Sequence, residues 1–85
     1  MGKSVVKLFN GVDHLRSLVT LQDGSHVVVD TCFALDICCY ETMVFASDEK
    51  GSVTCWTELD VERYATVKEM RMGHKAMCKE WRKKQ

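Results

Sequence analysis

Asp60-Val61-Glu62-Arg63-Tyr64-Ala65-Thr66-Val67-Lys68-Glu69-Met70 is the stretch in which the chain turns from strand to helix. Asp60 to Ala65 reads as a last strand. Thr66-Val67-Lys68-Glu69 then matches a capping box, in which the threonine side chain satisfies an early helical N–H and the glutamate reaches back to the cap. At about 100° per residue, Val67, Met70, His74, Met77, Cys78 and Trp81 gather into one apolar stripe roughly 100° wide. Gly73 borders that stripe and is read as permitting close backbone approach rather than ending the helix. The spacing predicts a helix over residues 67–83 that docks on a sheet.

The sheet is read from the segments upstream. Ser4-Val5-Val6-Lys7-Leu8-Phe9 ends at Asn10-Gly11, a strong turn dipeptide, and forms a first strand. Leu15, Ser17, Val19 and Leu21 make the more apolar side of a second. Asp23-Gly24 supplies a turn into the β-branched run Ser25 to Phe33. After a connection over residues 34–39, Tyr40 to Ala46 is the fourth strand. Asp48-Glu49-Lys50-Gly51 is a turn, and Ser52 to Thr57 is either a short edge strand or an ordered loop anchored by Trp56. The prediction is a single α+β domain over residues 1–85: a small antiparallel sheet of four to five strands, spanning about residues 3–65, packed against one C-terminal helix. The third strand carries apolar groups on both sides, Val27, Val29 and Phe33 against Val28 and Cys32. One helix covers one face, so a second copy of the chain is expected on the other, giving a homo-oligomer.

The 85 residues are 46% hydrophobic and 28% charged, without proline, a composition for folding rather than disorder. No apolar run reaches membrane-spanning length and the start does not read as a signal peptide, so a soluble, cytoplasmic protein is expected, without membrane partners. Cys32, Cys38, Cys39, Cys55 and Cys78 lack disulfide or zinc spacing and are read as reduced, mostly buried small hydrophobes. The formal charge is zero, yet residues 36–64 carry a net −5 and residues 65–85 a net +5. Such polarity suits pairing within the chain, pairing between copies, or an anionic ligand at the basic end.

The segments Glu41-Thr42-Met43-Val44-Phe45, Glu62-Arg63-Tyr64 and Gly73-His74-Lys75-Ala76-Met77 resemble a family of short phage- and prophage-encoded proteins that carry an ETMVF strand, an ERY strand and a GHxxM helix. The resemblance covers roughly residues 27–81. In relatives a histidine follows the aspartate that here is Asp36, and a loop containing glycine and proline precedes ETMVF; this chain has Ile37 and Cys38-Cys39 there. No ligand role of that loop is therefore carried over. The resemblance implies a phage or mobile-element origin, and with it the cytoplasm of a host cell.

The side chains that carry chemistry are few. His74 and Cys78 lie four residues apart on one helix side, but two ligands do not make a metal site; His74 is read as a core histidine bonded to a strand group such as Tyr64 or Glu41. Glu41 and Glu62 fall on neighbouring strands near Arg63, which superficially suggests an acid–base carboxylate pair. With no phosphate loop, nucleophile elbow or HExxH pattern, the expectation is no enzyme, no metal and no cofactor. Lys68, Arg71, Lys75, Lys79 and Arg82 form a basic stripe within about 80° on the helical wheel, either solvated, or facing the acidic middle of a neighbouring subunit, or holding phosphate. The leading reading is a non-enzymatic binding protein that blocks or sequesters a host component as a counter-defence inhibitor. Its target is a host protein met by an exposed strand edge or by Trp56, or an anionic nucleotide signal held between subunits by Arg63, Arg71 and Lys75. The alternatives are a nucleic-acid-binding accessory protein using the basic helix, and a structural small domain.

Overall fold

The computed structural model describes residues 5–11 and 13–84, so Ser4, where the first strand was expected to begin, lies outside the described residues. Five strands, β1 (Val5–Asn10), β2 (His14–Thr20), β3 (His26–Ala34), β4 (Cys39–Ser47) and β5 (Val53–Tyr64), are followed by helix α1 (Val67–Arg82). The strands form one antiparallel meander in the order β1-β2-β3-β4-β5. The α+β expectation holds. Asp60–Ala65 and Ser52–Thr57 are two parts of the single strand β5. Val44 pairs with Asp60 and Ala46 with Cys55, so the register jumps and the exposed residues Trp56 to Leu59 bulge outward between them.

Helix α1 starts as its sequence dictates. The Thr66 hydroxyl accepts from the Glu69 N–H at 3.1 Å, and the Glu69 carboxylate accepts from the Thr66 N–H at 3.1 Å. The helix buries Met70, His74, Met77 and Cys78. Cross-strand partners share a face, so the register puts Val19, Val27, Val29 and Val44 together beneath Met77 and Cys78. Gly73 is the point of closest approach: a Cβ there would stand 2.2 Å from Tyr64 Cζ. The helix crosses β2 to β5 and leaves β1 largely uncovered.

The opposite face departs from expectation. Val6, Leu18, Val28 and Phe45 are in cross-strand register there, and Leu18, Val28 and Phe45 are 9%, 0% and 7% exposed within the single chain. A bulge in β1 between Lys7 and Phe9 frees Leu8, which reaches the β4–β5 turn. Gly51 makes room for it: its φ is +88°, and a Cβ at that position would lie 2.7 Å from Leu8 Cδ1. Trp56 closes the row against Phe45, with ring centroids 5.1 Å apart. The sheet therefore curls over part of its second face, and that row needs no second copy to bury it.

Candidate functional site

Because α1 leaves β1 uncovered, a groove runs between the helix and the β1–β2 edge. It has two chambers. The first, about 170 Å³, is lined by Lys7, Phe9, Asn10, Leu15, Ser17, Arg71, His74 and Lys75. The second, about 250 Å³, adds Val5, Cys78, Lys79 and Arg82 to the shared Lys7, Ser17, His74 and Lys75. Helical periodicity places Arg71, Lys75, Lys79 and Arg82 on one wall. The strand register supplies the facing wall, since Lys7 pairs with Ser17 on the helix side of the sheet.

The electrostatics are one-sided. None of the described lining residues is acidic. Among the described residues, Lys7, Lys75, Lys79 and Arg82 form no ion pair, whereas Arg16, Arg63 and Lys84 each have a carboxylate partner. Lys75 and Lys79 are also spaced as like charges one turn apart, an arrangement that costs a helix about 0.2–0.5 kcal/mol. An anion in the groove would relieve both features.

The floor is polar but neutral. His74 bonds Ser17 Oγ through Nε2 at 2.9 Å and Thr31 Oγ1 through Nδ1 at 2.7 Å, and Thr31 in turn bonds Thr42 at 2.5 Å. Burial pushes the imidazole pKa down to about 4. The expectation of a hydrogen-bonded core histidine is met, but by Ser17 and Thr31. Tyr64 packs at Gly73, and Glu41 points from the other sheet face. Ser17 and His74 have the outline of a nucleophile and its base. The third partner is a neutral hydroxyl, however, and an imidazole held near pKa 4 accepts a proton poorly at neutral pH, so the pair suits structure better than catalysis.

The ligand residues expected from sequence do not meet within one chain. Arg71 and Lys75 line the groove. Arg63 pairs with buried Glu41 at 2.9 Å on the opposite sheet face, an interaction that raises the guanidinium pKa further. Trp56 projects from the β5 bulge at 66% exposure. Glu41 and Glu62 are not a carboxylate pair, because Glu41 is registered with Arg63 and Glu62 with Thr42, on opposite faces. The cysteine expectation also changes: Cys78 is buried, while Cys32, Cys38 and Cys55 are exposed. Among the described residues no group of three His, Cys, Asp or Glu side chains converges as a metal site, and no helix is long and apolar enough to cross a membrane.

Lys7, Phe9, Asn10 and Ser17 form the groove wall that the sequence reading missed. Lys7 and Ser17 interrupt otherwise apolar alternation on β1 and β2, a signal that becomes informative only once the helix is placed beside them. Comparison with family models, curated proteins and solved structures finds no match to this chain.

Proposed function

We propose that this chain is a non-enzymatic binding protein that holds an anionic ligand in the groove between α1 and the β1–β2 edge. The observation that carries this is the convergence of Lys7, Lys75, Lys79 and Arg82 on one groove, without an ion pair among the described residues. The neutral Ser17–His74–Thr31 floor supports binding over catalysis. Together with the resemblance to phage-encoded proteins, this supports a counter-defence inhibitor that sequesters a host component. Self-association belongs to the same proposal and is placed at the β5 bulge, where Trp56 and Leu59 are exposed large apolar side chains.

A nucleic-acid-binding accessory protein would use the same cations. Asp60 and Glu62, on the helix-bearing face at the other flank of α1, would oppose a long phosphate backbone laid across that face. The groove favours a compact anion. Calorimetric titration with inorganic tripolyphosphate tests this reading: binding is expected for the natural chain and should fall at least about 10-fold in Lys75→Glu/Lys79→Glu, with affinity decreasing as salt is raised. Equal binding by the folded double variant would refute it.

A further inference from the structure

β1 is an outer strand, paired within the sheet only with β2, so its outer row of backbone N–H and C=O groups faces away from the sheet. Helix α1 runs beside it in the opposite direction: Arg71 lines the groove with Asn10 and Leu15, and Lys79 and Arg82 line it with Val5. Lys75, Lys79 and Arg82 thus form a row along β1, each about 5–6 Å from the next. Alternate side chains of an extended strand stand about 6.6 Å apart. The spacings are close enough for carboxylates at every second residue of a strand laid along β1 to meet successive helix cations.

The other face of the same edge is apolar. Val6 is registered with Leu18 on the face away from α1 and is 46% exposed. Phe9 is registered with Arg16 on that face, its ring centroid 5.1 Å from that of His14, and is 52% exposed. A strand beside β1 therefore meets cations with one set of alternate side chains and apolar groups with the other.

We infer that the groove and the β1 edge together take an extended segment of a partner protein in which acidic and apolar residues alternate, added to the sheet as a sixth strand. The ladder is carried by Val5–Lys7, because the bulge between Lys7 and Phe9 interrupts the register beyond. This inference rests on the anion-binding reading above and names the class of anion. A free phosphate compound would use the cations and leave Val6 and Phe9 bare. A strand along β1 also keeps to the near flank of α1, away from Asp60 and Glu62. Within this chain β5 has the same alternation in Asp60-Val61-Glu62, but its edge is blunted. Asp60 accepts from the Val61 N–H at 3.0 Å and from Trp81 Nε1 at 3.2 Å, and the bulge over Trp56 to Leu59 interrupts the strand. A second copy is the poorer occupant.

Fluorescence anisotropy of labelled, end-capped peptides on the full chain tests this. One peptide alternates three glutamates with valines, and an isomer of the same composition carries the glutamates contiguously. The alternating peptide is expected to bind about 10-fold or more tightly than the isomer. N-methylation of its alternate amides should weaken binding at least about 10-fold in one frame and less than about 2-fold in the other, since only one set of amides faces β1. Val6→Ser/Phe9→Ser, its fold checked by circular dichroism, should remove most of the preference between isomers while changing tripolyphosphate affinity less than about 2-fold. If the isomers bind equally, or N-methylation acts alike in both frames, the inference fails while the anion groove stands on its tripolyphosphate affinity. If neither peptides nor tripolyphosphate bind, both readings fail. Loss of the natural chain's own assemblies in Val6→Ser/Phe9→Ser would make a second copy the occupant, and tighter binding of a single-stranded oligonucleotide would make it a nucleic acid; either result overturns the inference.

Discussion

Acidification is expected to remove stability through His74, and the size of that residue's share follows from its surroundings. Its imidazole sits beneath α1 between Ser17 and Thr31, with a pKa lowered from 6.5 to about 4. Above pH 6.5 both folded and unfolded chains carry it neutral, and its contribution is fully present. Between pH 6.5 and 4 the unfolded chain binds a proton that the folded chain refuses, so stability falls as pH falls through that window. The full shift corresponds to about 3 kcal/mol, and screening beside an open groove reduces this to about 2 kcal/mol. Urea unfolding at several pH values between 7.5 and 4, on the natural chain and on His74→Gln, isolates the effect because the carboxylates titrate in both. The difference in unfolding free energy should shift by about 2 kcal/mol across the window, with the natural chain losing more. A difference that stays flat, or that shifts the other way, refutes the assignment of His74 as a neutral buried group.

Gly73→Ala should destabilise by about 1–3 kcal/mol through the clash with Tyr64, outweighing the gain in helix propensity of about 1 kcal/mol. In a Tyr64→Ala background the same change should become stabilising, as measured by urea midpoints in a double-mutant cycle. Arg63→Ala should lower the unfolding midpoint by leaving buried Glu41 without its partner, while tripolyphosphate affinity measured calorimetrically stays within about 2-fold. Trp56→Ser with Leu59→Ser should shift sedimenting assemblies at micromolar concentration toward the 9.7 kDa monomer without loss of fold. A natural chain that sediments only as monomer would remove self-association from the account.

Local signals in the sequence carried the helix well. The Thr66–Glu69 capping box, the buried stripe of Met70, His74, Met77 and Cys78, and the close approach at Gly73 all depend on neighbours within a few positions or on one periodicity. The strand order was legible for the same reason, because each turn joins adjacent strands. The curl of the sheet was not. It depends on Leu8, displaced by a bulge in β1, meeting Gly51 far along the chain, and nothing local announces that contact. Half of the groove was legible as the basic helix stripe. Lys7, Phe9, Asn10 and Ser17 were not, since their role depends on which strand the helix leaves bare. That Arg63 stands on the opposite sheet face from the helix cations of its own chain was not legible either, because its face is set by register with Glu41, and a one-residue change of register reverses every side chain of a strand.

The location of anion binding is the central claim, and amide NMR of the isotopically labelled chain titrated with tripolyphosphate tests it most directly. The account predicts saturable shift changes concentrated at Lys7, Ser17, Lys75, Lys79 and Arg82, with Trp56 and Arg63 unmoved. Changes centred on Arg63 and Trp56 with a silent groove, or no saturable change at all, would contradict it.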